Sequence, residues 1–461
     1  MIDKKLVVWT RISGSPLKMG ELYTTDKESR FSYEDSYVQT GERGLGLAYP
    51  TEAFGINTIV RPRSEFFDFH PPIQSLLPPR NKRNLIRSLI MSYLNKINIH
   101  PQAGLETDWE VLTKSGHGSI GHLDVFANDS EAEKWYAAEP NDRLVEAQDD
   151  FGFSLKEFLT WMDDDAKSLV SILGPTPSLG GAIPKIPLSI PRSGWNGLVG
   201  LPTRLGSSPD LTDIILKFED SGSYPGIIEL EKLALNVHEE AGFNVPRYWD
   251  VEINGIKSLA VERFDRDKNN KPLFMESVYS LLASGSLSIS HHYSATYDFV
   301  AKALDNKKIE ITRDPKEAKE YLLKRLVLAM LTGNGDLHLE NLSFLNKELE
   351  KEGRLEFSPV YDPTPMRAYA RHNMLTPPEM TFGNYGDLLG DEVIGLEKGL
   401  NRFAKNLKVN SNQYHKIISD CLLTTRNYEQ KINDLKSLPD LNKENLINIH
   451  RRIYSDLEEI I

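Results

Sequence analysis

The chain has 461 residues, 40% of them hydrophobic and 26% charged, which predicts a globular protein of two or three domains. Its net charge of -12 disfavours broad nucleic-acid binding, and no apolar run reaches the about 18 residues that cross a membrane. The single cysteine, Cys421, excludes an internal disulfide and a cysteine metal cage, and it favours a reducing cytoplasm.

The N-terminal part of the chain reads as a small α+β domain, residues 1–130. Its first apolar run, KLVVWT, predicts a strand rather than a signal peptide, because no small-residue cleavage site follows. Helical spacing predicts a helix at 81–96, and residues 120–126 read as a closing strand. An acidic linker with a surface helix is predicted at 131–172.

Residues 173–275 are predicted to form a β-rich nucleotide-binding lobe. The many glycines and prolines of 173–190 favour irregular structure there. A buried strand at 213–218, a helix at 228–241 and a strand at 258–264 follow.

The last part, residues 276–461, has the apolar spacing of a helical lobe, interrupted by the loop TGNGDLHLEN and by a proline-rich loop at 359–378. A β-rich segment followed by a helical one is the order of a two-lobed, protein-kinase-like α+β fold with an all-α C-terminal lobe.

The loop TGNGDLHLEN lies between an apolar helix and the strand-like LSFL. Kinases place an aspartate base and, five residues later, a magnesium-binding asparagine in one such loop, and Asp336 and Asn341 have that spacing. Asp362 is the expected second magnesium ligand. His338 is interpreted as a support of the loop rather than a metal ligand. Because Asp and Asn are also common in ordinary turns, the spacing alone leaves a structural role open.

Lys217 lies in the apolar strand DIILKF, where a buried ammonium group needs a partner, and Glu231 on the next helix is a candidate. A strand lysine paired with a helix glutamate holds ATP phosphates in kinases, although an exposed lysine and a surface glutamate would look the same in sequence. Gly180 and Gly181 precede this strand and would allow a backbone loop to approach phosphates closely.

Together these segments resemble the HipA family, the kinase toxins of bacterial toxin–antitoxin pairs. The N-terminal KLVVWT and HGSIGHLDVF are similar to the small first domain of that family. The segments that resemble its kinase core are SLGGAIPK, DIILKF, LAVERFDR, LTGNGDLHLENLSFL and PVYDPTP.

The resemblance implies a role for each matching residue. Asp336 would be the catalytic aspartate, and Asn341 and Asp362 would bind Mg²⁺. The residues that it places at ATP are Lys217 with Glu231 on the phosphates, Glu262 and Phe264 at the adenine, Asp265 beside the nucleotide, and also Gly180, Gly181, Lys185 and His338. Ser178 matches the position at which family members autophosphorylate. The chain departs from the family pattern at Glu340, where lysine is common, and at Ile183-Pro184.

The resemblance also implies partners. The protein substrate would be an aminoacyl-tRNA synthetase, and a small helix-turn-helix antitoxin (HipB-like) would bind the kinase and link it to operator DNA. Two alternatives stay open: a nucleotide-binding corepressor that acts mainly with a DNA-binding antitoxin, and a small-molecule kinase.

Overall fold

The computed structural model describes residues 4–80, 84–137, 144–147, 184–200, 202–203, 210–219, 222–253, 256–346, 355–372, 380–390 and 392–461. They belong to two compact units. The first unit comprises the described residues of Met1–Phe218, Arg247–Glu276 and Leu345–Gly353, and the second those of Glu219–Pro246, Ser277–Phe344 and Arg354–Ile461.

The first unit begins with a five-stranded antiparallel sheet. Its strands are β1 (Lys4–Thr10), β2 (Leu17–Thr24), β3 (Glu28–Tyr33), β4 (Ile59–Pro62) and β5 (Leu123–Phe126). They are ordered β4-β3-β2-β1-β5. Every second residue of β3 is buried, the pattern of a strand with one face on a core. The strand predicted at KLVVWT is confirmed, since these residues form β1.

Helices accompany this sheet. They are α1 (Asp35–Val38), α2 (Thr51–Phe54), α3 (Pro71–Gln74), α4 (Leu85–Lys96), α5 (Leu105–Ser115) and α6 (Asp129–Tyr136). The Asn84 side chain accepts the Arg87 backbone N–H at 2.9 Å and so caps α4. The helix predicted at 81–96 is confirmed, with its first residue at Leu85.

A second sheet in the first unit has six strands. They are β6 (Leu144–Glu146), β7 (Lys185–Pro191), β8 (Leu198–Gly200), β9 (Leu211–Phe218), β10 (Tyr248–Ile253) and β11 (Ile256–Glu262). Their order is β10-β11-β9-β7-β8-β6. Apolar side chains from both sheets, among them Leu22, Phe31, Leu188 and Leu216, form one buried core.

The prediction of irregular structure up to residue 190 is wrong for its last part, which forms β7. Pro187 lies inside this strand and faces Ile215 of β9. β7 pairs with β9 over its whole length, whereas, in the part of the chain that the structure describes, β8 pairs with β7 at Ser189 alone. A missing proline N–H costs little in a strand that is fully paired on only one side.

The second unit is mainly helical. Its helices are α7 (Ile227–Glu240), α8 (Val278–Gly285), α9 (Tyr297–Ala303), α10 (Pro315–Thr332), α11 (Leu396–Asn406), α12 (Ser411–Thr425), α13 (Tyr428–Asn433) and α14 (Asp440–Glu458). The remaining short strands among the described residues are β12 (Met275–Ser277), β13 (Ser343–Asn346), β14 (Leu355–Phe357), β15 (Leu388–Leu389) and β16 (Glu392–Val393). Among the described helices, none combines the length and the apolar character needed to cross a membrane.

Helix α10 is the buried axis of the second unit, because nearly all of its last three turns are covered by other residues. It ends at Gly333, whose φ of 75° lies in the left-handed region that glycine tolerates. A Cβ at this position would meet the Cδ1 atom of Leu446 at 2.4 Å. The tight turn at Gly333 therefore fixes where the following loop, residues 334–342, leaves the helix.

Candidate catalytic and nucleotide-binding residues

Two buried lysines face each other on neighbouring strands of the first unit. Lys185 of β7 is the cross-strand partner of Lys217 of β9, and each is only 3% exposed. Their apolar neighbours Ile186 and Leu216 point to the opposite face, into the core. Two ammonium groups side by side on one face of a sheet can both donate charge-assisted hydrogen bonds to the oxygens of one phosphate group. The pair fits a phosphate-binding role.

Asp213 lies farther along the same face of β9, opposite Ser189 of β7. It is buried, and both the backbone N–H and the hydroxyl of Thr203 donate to its carboxylate at 2.9 Å. Burial raises the pKa of Asp213 and outweighs the nearby positive charge of Arg263. Asp213 is not among the residues predicted from the sequence, because an aspartate near the start of a strand carries no distinctive spacing.

The predicted adenine-binding residues lie at the end of β11, where Glu262 is the last residue of the strand and Phe264 follows it. The Glu262 carboxylate accepts two hydrogen bonds from Arg247, at 2.7 and 2.8 Å, and the Arg263 backbone N–H donates to Asp213 O at 2.9 Å. Neither contact tests whether backbone groups of Glu262 and Phe264 bind adenine, so that role stays a prediction.

Asp265 is the centre of a buried ionic cluster. Its carboxylate accepts hydrogen bonds from Arg263 at 3.1 and 2.8 Å, from Arg266 at 2.8 Å and from the Gly121 backbone N–H at 2.8 Å. Burial alone would raise the pKa of Asp265, but the two arginines outweigh it and lower the pKa to about 2. The structure thus gives Asp265 a role in joining β11 to the loop before β5, and a role beside the nucleotide stays a prediction.

Of the predicted Gly-rich loop, Ser178, Gly180 and Gly181 lie outside the described residues. The described end of that segment is anchored, since the Phe218 N–H donates to Pro184 O at 2.9 Å. This bond holds Lys185 beside Lys217. Glu231 is buried in α7 of the second unit, and the ion pair expected between Glu231 and Lys217 remains a prediction.

In the second unit, the loop after α10 is held by its own amide side chains. The Asn334 Oδ1 atom accepts the Asp336 backbone N–H at 3.0 Å, and the Asn341 Nδ2 atom donates to Asp336 O at 2.7 Å. Because its amide nitrogen is directed to the loop, Asn341 would offer its amide oxygen to a metal. The predicted five-residue spacing therefore corresponds to a direct contact between the two residues.

A tyrosine brings Asp362 to this loop. The Tyr361 hydroxyl donates to Glu340 O and lies 2.6 Å from the Ser343 hydroxyl. Asp362 itself has a φ of 47°, a left-handed conformation that costs a non-glycine residue about 1–2 kcal/mol. Such strain persists where surrounding contacts impose it, often at functional sites.

The electrostatics of Asp336 reflect this neighbourhood. Burial is the main factor that raises the pKa of Asp336, and the negative charge of Asp362 adds to it. The Tyr293 hydroxyl and the nearby rings of His292 and His372 act in the opposite direction. A base whose pKa is raised towards the working pH is a better proton acceptor.

The donor set fits magnesium. Mg²⁺ takes one or two carboxylate or amide oxygens from a protein and keeps several waters, so Asn341 and Asp362 would suffice. Within the described ranges, no group of three or more His, Cys, Asp or Glu side chains is arranged to hold a metal ion. A tighter, nitrogen- or sulfur-rich centre is therefore not formed by the described side chains.

His338 supports the loop through its ring. Its Nδ1 atom accepts the Glu340 backbone N–H at 3.2 Å, and its Nε2 atom lies 3.9 Å from the Asp336 carboxylate. The ring of His292 lies 4.2 Å from that of His338, and His292 Nδ1 lies 3.3 Å from the Glu340 carboxylate. The interpretation of His338 as a hydrogen-bonding support agrees with this geometry, and its role at ATP stays a prediction.

Comparison with known proteins places these residues in a family. The profile of the HipA-like C-terminal domain matches residues 177–428, more than half of the chain. A Haemophilus influenzae protein that carries a provisional kinase name is 25% identical over 232 residues, 45% of this chain and 64% of that protein. The chain thus spans less than two thirds of the length of this curated relative.

A solved structure gives the likeness in three dimensions. It is a chain of the Shewanella oneidensis MR-1 complex of the toxin–antitoxin proteins HipA and HipB with operator DNA, 18% identical, with a TM-score of 0.61. The match covers 96% of this chain and 95% of that chain, and it confirms the predicted kinase-like α+β fold. Because the family profile spans most of both predicted lobes, the chain belongs to the family of proteins with a HipA-like C-terminal domain.

Proposed function

We propose that this chain is an ATP-dependent serine/threonine protein kinase that acts as the toxin of a bacterial toxin–antitoxin pair in the cytoplasm. The observation that carries the proposal is the second-unit loop, where Asn341 bonds to the backbone of Asp336 and Tyr361 ties the strained Asp362 to the same loop. This loop supplies a proton acceptor and two oxygen ligands, which are the parts that phosphoryl transfer requires.

In the proposed reaction, the oxygen of the acceptor hydroxyl attacks the γ-phosphoryl group while Asp336 accepts the proton of that hydroxyl, and ADP leaves. Magnesium, when bound through Asn341 and Asp362, would neutralise charge on the phosphates. Lys185 and Lys217 hold phosphate oxygens through charge-assisted hydrogen bonds.

The lysine pair gives a prediction about ATP affinity. Lys185→Met or Lys217→Met is expected to weaken ATP binding about tenfold to a hundredfold, because each removes a hydrogen bond from a charged donor. Calorimetric titration with ATP measures the affinity, with exposed Lys316→Met as the control. Thermal unfolding of each nucleotide-free variant checks that it is folded, so that a lower ATP affinity reports on binding. Unchanged ATP affinity in both variants would show that the two lysines do not bind ATP.

For the biological role, we propose a protein substrate, an aminoacyl-tRNA synthetase, and a helix-turn-helix antitoxin that links the kinase to operator DNA. The likeness to a chain from the HipA–HipB–operator DNA complex supports the antitoxin. We further propose that Ser178 is an autophosphorylation site that limits activity.

Expression in bacteria tests this role. The wild-type chain is expected to arrest growth, and Asp336→Asn is expected to abolish the arrest. Overproduction of the synthetase that the kinase phosphorylates is expected to relieve it. Ser178→Ala is expected to prolong the arrest. Arrest that persists with Asp336→Asn would instead favour the corepressor alternative, in which no phosphoryl transfer is needed.

A further inference from the structure

A tyrosine hydroxyl is bound to the proposed catalytic base. Tyr293, in the segment between α8 and α9, donates its phenolic hydrogen to Asp336 Oδ1. The segment is attached to the loop by the Leu339 N–H, which donates to His292 O at 3.1 Å. The Tyr293 ring also packs edge-on against His338, with 5.1 Å between ring centres. The hydroxyl is therefore held at the carboxylate by contacts on both sides of the residue.

The position of this hydroxyl matters for phosphoryl transfer. A base in this reaction must accept a hydrogen bond from the acceptor hydroxyl whose proton it takes. The Tyr293 hydroxyl already donates a hydrogen bond of this type to the carboxylate, and Tyr293 is half-buried. An incoming serine or threonine hydroxyl that binds Oδ1 would compete with the Tyr293 hydroxyl for this oxygen atom.

We propose that Tyr293 is a built-in substitute for the acceptor hydroxyl, which a protein substrate must displace from Asp336 before transfer. The inference rests on the proposed kinase function and adds a specificity-determining residue to it. An acceptor that makes enough contacts elsewhere displaces Tyr293, whereas water and unrelated hydroxyls compete poorly. The displacement thus suppresses futile ATP hydrolysis and favours acceptors that bind tightly.

Kinetics of Tyr293→Phe test the proposal. The matched control is Tyr279→Phe, since the Tyr279 hydroxyl donates to Ser290 O at 3.0 Å in the neighbouring segment. With Mg-ATP and dephosphorylated casein as the probe acceptor, Tyr293→Phe is expected to lower the casein KM about tenfold and leave the ATP KM unchanged, because a hydrogen bond to a charged group no longer competes. ATP hydrolysis without casein is expected to rise by a similar factor. Tyr279→Phe is expected to match the wild type.

The outcomes separate this inference from the proposed function. A lower kcat for Tyr293→Phe with an unchanged casein KM would overturn the inference, since it would mean that Tyr293 orients Asp336 for catalysis. Wild-type rates in the variant would overturn it as well. If neither protein consumes ATP although both bind it, the kinase function itself fails, and the inference fails with it.

A second measurement does not depend on turnover. In protein carrying 3-fluorotyrosine, the ¹⁹F resonance of residue 293, assigned by its loss in Tyr293→Phe, is expected to shift when Asp336 is replaced by alanine. The resonance of residue 279 is expected to stay in place. An unchanged resonance at 293 would show that the hydroxyl does not bind the carboxylate in solution, and would overturn the inference.

Discussion

Replacing Asp336 with asparagine is expected to reduce the rate of phosphoryl transfer by at least about a hundredfold, the typical contribution of a positioned general base. The side chain keeps its shape and can still accept the Tyr293 hydrogen bond, but the amide cannot take up a proton. ATP affinity is expected to stay within about threefold of the wild type, because Asp336 is assigned to the acceptor and not to the phosphates. Initial rates of phosphate incorporation and calorimetric titration with ATP measure the two effects.

The control for this variant is Asp434→Asn, an exposed aspartate at the end of α13 in the same unit. It is expected to retain the wild-type rate. An Asp336→Asn protein that transfers phosphate at more than a tenth of the wild-type rate would show that Asp336 is not the base.

Replacing Asp265 with asparagine is expected to lower the free energy of unfolding by about 3–5 kcal/mol, the usual cost of removing one partner of a buried ion pair. Arg263 and Arg266, whose side chains are 1% and 5% exposed, would be left as buried positive charges. The Gly121 N–H would also lose its charged acceptor. Urea unfolding of the two proteins measures the difference.

The matched control is Glu262→Gln, three residues earlier. Glu262 pairs with Arg247 at 2.7 Å, but the two side chains are 26% and 54% exposed, so its loss should cost only about 0.2–1 kcal/mol. An Asp265→Asn variant no less stable than Glu262→Gln would contradict the structural role assigned to Asp265.

Because the pKa of Asp265 is low, the difference in stability between wild type and Asp265→Asn depends on pH. A carboxylate with a folded pKa of about 2 contributes its stabilisation fully above the unfolded value of about 4 and loses it as the pH falls towards 2. The stability difference between wild type and Asp265→Asn is therefore expected to shrink below about pH 4 and to stay constant above it.

The sequence identified those parts of the site that depend on local order. The spacing of Asp336 and Asn341 corresponds to a hydrogen bond within one loop, and the apolar strand around Lys217 is present as expected. Residues close together in the sequence determine both features, the first at the end of α10 and the second within β9.

Contacts between distant residues could not be predicted in this way. The position of Lys185 opposite Lys217 depends on the register of β7 against β9, and β7 was expected to be irregular because of its prolines. The Tyr293–Asp336 bond joins residues 43 positions apart, and Tyr361 reaches Glu340 across 21 positions. Only tertiary packing brings such hydroxyls to the loop.

Intact-mass spectrometry of the purified chain after incubation with Mg-ATP tests the central claim most directly. The wild type is expected to gain the mass of a phosphoryl group on a serine or threonine, with Ser178 as the expected position, and Asp336→Asn is expected to gain none. A wild-type chain that binds ATP but stays unmodified, and that transfers no phosphate to any added protein, would contradict the assignment of this loop to phosphoryl transfer.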